Sequence, residues 1–399
     1  MALAAGVRAG GLPRITVTIV DRHIAFRFLW NFLVLFALLF VFAIAIDVIL
    51  QLDRFMEAAE AAVGRGDYPG LPAALLAAVF NFHGPRIFQF YAYLLGLVSV
   101  AAMGFTLAQM HRHRELLALL AAGGSLPRMA LPILAVGVGL NAIQVVNAEL
   151  VVPRLAALLS REHSDILAPG VRSFPIPLTP DGEGRLVAAE SFDPTAWRMT
   201  GLLVIERDER GSLLRRVVAE SATWDPRFRS WRLENGRAIA RAAGPDGAGL
   251  DPRAAELGGA ASVVAEPVGS VETPLDPDAI SVRRSAPYAQ MLSVAQLRRL
   301  ERSGGVDRGT VQRATWGRFA TALANLVILV LAMPSFLLRE PANLLRQAVS
   351  CSALAIAATL LVLVGLTIAL PGVPTVVSVF APVAILAPAA LGRLLGVRT

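Results

Sequence analysis

The sequence predicts an α-helical membrane protein with six transmembrane helices and an inserted all-β domain between the third and the fourth. Three observations predict it. Phe28–Ile46, Ile87–Met110, Met129–Ala148, Phe319–Leu338, Gln347–Leu370 and Val373–Gly392 each run without a charged residue. Each supplies the ~20 apolar residues that a helix needs to cross a ~30 Å hydrocarbon core. A polar block separates the third stretch from the fourth, from Glu149 to about Gln312. Finally, 55% of the 399 residues are hydrophobic and mean hydropathy is +0.59. A soluble domain disperses such residues, whereas here they are gathered into spans.

The N-terminal segment Met1–Arg14 is short and basic, with no cleavable leader pattern, so the first apolar stretch is expected to remain as an anchor. Arginines near the span ends set orientation. Arg8, Arg14, Arg22 and Arg27 precede span 1, and Arg112, Arg114 and Arg128 follow span 2. Arg339 and Arg346 follow span 4, and Arg393 and Arg398 close the chain. With alternating spans these all fall on one side. The loop after span 1 is mixed, with Arg54, Arg65 and Arg86 against Asp47, Asp53, Glu57, Glu60 and Asp67, and Pro371-Gly372 is an uncharged hairpin. Both termini are therefore expected in the cytoplasm and the large insert outside.

The insert opens with a helical extension of span 3, Val152–Ile166. Short alternating runs follow: Gly201–Arg207, then Leu213–Trp224 after the turn Glu209-Arg-Gly-Ser, then Ser230–Leu233 after Asp225-Pro226. Gly244–Ala261 reads as a loop and Ala286–Ser303 as a connecting helix. Short, evenly spaced strands predict a sandwich or jelly roll. The expected organisation is a first transmembrane half over 1–150, the exported domain over 151–312 with its jelly-roll-like part at about 170–280, and a second half over 313–399.

Composition excludes several chemistries. All 37 basic residues are arginine. A Walker A loop needs its lysine on the phosphates and a Schiff base needs an amine, so this chain supplies neither. Cys351 stands alone, which excludes a disulfide within the chain and a thiolate cluster. His23, His83, His111, His113 and His163 are scattered, and none pairs with a serine or cysteine at catalytic spacing. His111 and His113 are two apart and do not share a helical face. No catalytic residue, no metal ligand and no bound cofactor is expected. No basic patch interleaved with aromatics points to nucleic acid.

Four features remain. In the loop after span 2 (111–123), Glu115, Leu116, Leu119 and Leu120 recur at helical spacing and Gly123 is placed as a C-cap. An interfacial helix facing anionic headgroups and a helix seated in a partner's groove are both consistent with it. In the second case Glu115 would meet a partner arginine. At the far end of span 1, Asp47, Asp53 and Arg54 mark a polar point at membrane depth. Arg318, after Trp316, and Arg86, after Gly84-Pro85, would snorkel or grip a phosphate. Asn141, Gln144, Asn147 and Asn325 suit hydrogen bonds between spans, and Gly137 and Gly139 suit close helix approach.

The order of elements resembles the LptF/LptG lipopolysaccharide export permeases from about Val20 to Leu395. The carrying pieces are Asp21-Arg22-His23-Ile24, Arg114-Glu115-Leu116-Leu117 with Ala122-Gly123, and Glu149-Leu-Val-Val-Pro153. Asp225-Pro226 with Trp231-Arg-Leu, Leu275-Asp-Pro-Asp-Ala-Ile-Ser281 and Trp316-Gly-Arg318 complete the set.

The resemblance implies a non-enzymatic subunit of an ABC transporter in a bacterial inner membrane, with the large domain periplasmic. It implies a paralogous permease as partner, a cytoplasmic ABC ATPase dimer that holds the ATP and Mg, and a periplasmic bridge protein of the LptC/LptA type. The cargo would be lipopolysaccharide or a related lipid, admitted between spans 1 and 5. ATPase coupling would fall on Arg114, Glu115, Leu116, Leu119 and Gly123, and lipid headgroups on Arg54, Arg86 and Arg318. Asp47 and Asp53 depart from the basic residues common at that place in the family. The rival readings are a membrane scaffold or sensor with no transport role and a lipid-modifying membrane enzyme.

Overall fold

The computed structural model describes residues 18–123, 125–163, 166–167, 173–207, 213–241, 263–285, 287–304, 306–336, 344–368 and 372–396. Arg8, Arg14, Arg339, Pro371, Arg398, the loop Gly244–Ala261 and the turn Glu209-Arg-Gly-Ser lie outside the described residues.

Among the described residues, six helices are long and apolar enough to cross a membrane: Ile19–Leu50, Arg86–Arg112, Arg128–Leu159, Arg308–Ser335, Arg346–Thr367 and Thr375–Leu395. The first span is helix α1 (Ile19–Leu50), opened by a capping box in which Thr18 and Asp21 bond each other's backbone N–H groups. Its inner face, Ile24, Phe28 and Phe32, is buried, while Phe26, Trp30, Leu38 and Phe42 are exposed. In the absence of water, such a face meets lipid tails or another apolar chain.

The helix breaks at Gln51. The following segment, read in the sequence only as a charged loop, folds as two short helices, α2 (Leu52–Gly64) and α3 (Leu71–His83). Phe55 and Phe82 pack edge to face between them at 5.8 Å. Span 2 is α4 (Arg86–Arg112), and the short helix α5 (Glu115–Ala121) follows it. Span 3 is α6 (Leu126–Val146), one π-helical turn (Asn147–Val151) and α7 (Val152–Leu159).

The sheet holds β1 (Phe174–Pro180), β2 (Leu186–Asp193), β3 (Arg198–Arg207), β4 (Leu213–Asp225), β5 (Ser230–Glu234), β6 (Arg237–Arg241), β7 (Val263–Pro267) and β8 (Ser270–Glu272). Every pairing is antiparallel. Ser221 faces Glu234 and Val218 faces Arg237, so β5 and β6 continue one another in a single register along β4. Asn235 (φ 54°) sits at the break between them.

β1 to β4 pair in chain order; β4 then pairs both β5 and β6, β5 pairs β8 and β6 pairs β7. With β5–β6 and β7–β8 each taken as one interrupted strand, successive strands pair as in a meander, without the Greek-key crossings of the expected jelly roll. The sheet curls instead. Arg185, beside the β1–β2 turn, donates to the Glu272 carbonyl at 2.8 Å, so opposite corners meet.

Four further helices lead back to the membrane and across it: α8 (Pro277–Arg284), α9 (Tyr288–Met291), α10 (Val294–Ser303) and α11 (Arg308–Ala332). The helix expected over Ala286–Ser303 is split, because Ser293 caps α10 afresh with Gln296. Spans 5 and 6 are α12 (Leu344–Thr367) and α13 (Thr375–Leu395).

Two buried clusters organise the molecule. One joins spans 1 to 6 through Phe28, Leu95, Met103, Ile133, Leu329, Ala355 and Val383. The other runs from the sheet (Val187, Phe192, Val217, Trp231) through Ala279 and Leu297 to Val311 and Ala314 at the head of α11. Sheet and span 4 therefore share one core, and Trp231 Nε1 donates to the Leu275 carbonyl at 2.9 Å inside it.

Polar residues within the spans bond across helices. Asn325 donates to Asn141 at 3.3 Å, Tyr91 to the Leu140 carbonyl at 2.9 Å and Asn147 to the Phe88 carbonyl at 2.8 Å. Gly137 takes the Leu329 side chain, which a Cβ there would meet at 2.8 Å. Gly139 is different from its expected role: a Cβ built there would meet no neighbouring helix within 4 Å.

Candidate functional site

The bundle has one polar focus at each end, and the side bearing the sheet differs from the side bearing α5. On the α5 side, Arg114 adopts φ 56° and starts the helix. Leu116 is buried in the bundle core, and Leu119 and Leu120 pack against it. The Glu115 carboxylate is taken by Arg27 of span 1, at 2.9 and 2.7 Å, and Gln109 accepts a third bond from Arg27 at 3.2 Å. His111 Nε2 lies 2.8 Å from the Phe336 carbonyl at the end of span 4. Within the chain, Glu115 is thus paired with an arginine of span 1, and Leu116 faces inward. The surface that α5 presents outward is Leu117, Ala118 and Ala121, flanked by Arg114 and Gly123.

On the sheet side, the π-helical turn re-aims Glu149, as extra-residue turns in helices do. Its Oε1 accepts from Arg318 of α11, and its Oε2 accepts from the Val294 N–H at the head of α10 at 3.0 Å. Arg318 also donates to the carbonyls of Leu292, of Gln290 at 3.4 Å and of Ala148 at 3.4 Å. Arg318 is only 12% exposed and Glu149 30%. Arg318, a snorkelling or phosphate-gripping candidate in the sequence, bonds Glu149 and three carbonyls where spans 3 and 4 meet the sheet domain.

The same side holds a cavity of about 310 Å³ lined by Ala43, Ile46, Asp47 and Leu50 of span 1, His83 of α3, and Arg86 and Phe90 of span 2. The His163 Nε2 lies 3.0 Å from Asp47 Oδ2, and the His83 Nε2 lies 3.4 Å from the same oxygen. The two histidines expected to be unrelated thus converge on one carboxylate. Nothing in the sequence pattern could have paired them, because separate elements carry them. Burial of the His83 ring pushes its pKa down, against the pull of Asp47. Arg86 sits over the Phe82 ring at 3.7 Å and donates to the Arg161 carbonyl at 3.1 Å. Arg54 stands apart on α2, exposed, 3.7 Å from Glu57. Among the described residues no group of three or more His, Cys, Asp and Glu could hold a metal ion.

No curated protein matches the chain. The family described as lipopolysaccharide export system permease LptF/LptG does match, over residues 22–396, nearly the whole length. Six candidate spans, an inserted antiparallel sheet and this match agree, and the chain belongs to the LptF/LptG family of lipopolysaccharide export permeases.

Proposed function

We propose that this chain is the membrane subunit of an ATP-driven exporter that draws lipopolysaccharide, or a related lipid, from the outer leaflet of the inner membrane. A paralogous permease completes the cavity, an ATPase dimer docks beneath with its own ATP and Mg, and the sheet domain hands the lipid to a periplasmic bridge. Both termini are cytoplasmic in this reading and the sheet is periplasmic, as the arginine distribution requires.

The observation that carries the mechanism is the Arg27–Glu115 pair. It ties α5 to span 1, the span that the family resemblance places at the lateral gate. A partner that moves α5 moves span 1 with it, because one guanidinium nitrogen of Arg27 holds both Glu115 carboxylate oxygens in a charge-assisted contact. His111 carries the same displacement to the end of span 4. At the other end Glu149 and Arg318 join spans 3 and 4 to α10, so bundle and sheet shift together.

The sheet accepts the acyl chains. Leaving them in water would cost ~0.8 kcal/mol per exposed CH₂. Strand addition by the bridge protein falls on the β7–β8 edge, because Pro175, Pro177 and Pro180 remove backbone donors from the β1 edge.

The test is co-purification with the ATPase. Leu117→Glu, on the outward face of α5, abolishes it and leaves the fold intact. An undiminished complex would overturn the docking assignment. ATP-dependent release of lipopolysaccharide from proteoliposomes tests the cargo, and release of bulk phospholipid alone would overturn it.

A further inference from the structure

The cavity between spans 1 and 2 carries an acid and a base side by side, and its ligand can be read from that pairing. Its floor is apolar, from Ala43, Ile46, Leu50 and Phe90. Its polar lining is Asp47, His83 and Arg86. An ionised carboxylate offers about four lone-pair positions. His163 Nε2 lies 3.2 and 3.0 Å from the two Asp47 oxygens and His83 Nε2 lies 3.4 Å from the second, which is fewer contacts than the carboxylate has lone pairs, and Asp47 lines the cavity. Arg86 has five donors. One goes to the Arg161 carbonyl, and the guanidinium plane is held by the Phe82 ring.

The Asp47 carboxylate and the Arg86 guanidinium that line the cavity carry opposite charges. Burial of His83 favours its neutral form. A ligand with one uncompensated negative charge would face Asp47 and lose hydration without return. A ligand that brings its own matched pair of charges would not.

We propose that this cavity binds a zwitterionic headgroup in which a phosphate sits beside a primary ammonium, the phosphate on Arg86 and the ammonium on Asp47, with the first methylenes against Ile46, Leu50 and Phe90. The primary amine matters because Asp47 accepts N–H bonds, which a quaternary ammonium cannot donate. The chemistry is shared by an ethanolamine-bearing phospholipid and by an exported glycolipid decorated with phosphoethanolamine. The binding needs no nucleotide, so its failure leaves the export reading intact, and a failure of transport leaves it intact in turn.

The experiment is native mass spectrometry of the full chain in detergent, titrated in parallel with phosphatidylethanolamine, phosphatidylcholine and phosphatidylglycerol of matched chains, and with soluble glycerophosphoethanolamine. Phosphatidylethanolamine is expected to be retained about tenfold over the other two lipids, a discrimination of ~1.4 kcal/mol. Asp47→Asn removes that preference and raises phosphatidylglycerol retention. Arg86→Gln lowers retention of every lipid. Capture of glycerophosphoethanolamine with equal strength would assign the site to a free headgroup rather than a lipid. Equal retention of ethanolamine and choline lipids, or a preference unchanged in Asp47→Asn, would overturn the proposal. If Arg86→Gln fails to fold, Asp47→Asn decides alone.

Discussion

The two arginine–glutamate pairs of the bundle are the same chemistry in two settings. Arg27–Glu115 joins span 1 to α5, with side chains 21% and 34% exposed. Its bonds run between side chains, and both partners can re-solvate when α5 moves. Arg318–Glu149 joins span 4 to the π-helical turn, and its members bond the backbone of α9, α10 and span 3 as well. Removing one member there strands several buried groups. Under the proposed mechanism, the difference separates a coupling that must yield from a joint that must hold.

The largest effect is expected at the joint. Arg318→Met leaves the half-buried Glu149 without its cation and three carbonyls without their donor, and should cost about 3–5 kcal/mol in unfolding measured in detergent. Adding Glu149→Gln should recover part of that loss, because the stranded charge is gone. Equal stability of Arg318→Met and wild type would erase the contrast between the pairs.

On the coupling side two neighbouring leucines should behave oppositely. Leu116→Ala opens a cavity in the bundle core and should cost about 2–4 kcal/mol. Leu117→Ala lies on the exposed face and should leave thermal stability within about 0.5 kcal/mol. Glu115→Gln should fall between, at about 1–2 kcal/mol, with ATPase stimulation by the permease reduced.

A third prediction concerns the sheet domain. Asp278, on α8 beside Gln296, has its carboxyl pushed up to about 6 by burial, with Asp276 adding to the shift. Its folded value is above the unfolded one. Stability is therefore fully present below about pH 4 and is lost as pH rises through 6. Asp278→Asn should remove that slope and stabilise the domain by about 1–3 kcal/mol at pH 8, read from Trp231 fluorescence during urea unfolding. A slope that persists in the variant would assign it to another group. The smallest effect is expected at Arg54→Gln. Its partner Glu57 is 3.7 Å away and both are exposed, so the change should stay within about 0.5 kcal/mol.

Residue pattern alone made the spans legible, because backbone groups in hydrocarbon must bond within one helix and the side chains must be apolar over a known length. The strands of β3, β4 and β5 were legible from alternation. The helical fold of α2 was not, since Asp53, Arg54, Glu57 and Glu60 mask an apolar stripe of Phe55, Ala59 and Ala62; α3 is apolar but, at 13 residues, is too short for the length rule that marks a span. The sheet's meander was not legible either, because short strands at even spacing serve several connectivities equally well. At the site, sequence spacing located α5 but could not say which of its residues pack inward. The burial of Leu116 and the pairing of Glu115 with Arg27 depend on how span 1 approaches.

By itself, then, the chain's pattern of residues determined that it spans a membrane six times, carries a strand-rich insert and has no lysine for nucleotide chemistry. These follow from local properties: hydropathy, periodicity and side-chain inventory. Only the tertiary structure decided that His83 and His163 share Asp47, that Arg318 is a joint rather than a free cation, and that Leu117 is the outward face of α5. Those facts depend on groups distant in sequence being brought within bonding distance, and no spacing rule along the chain encodes that distance.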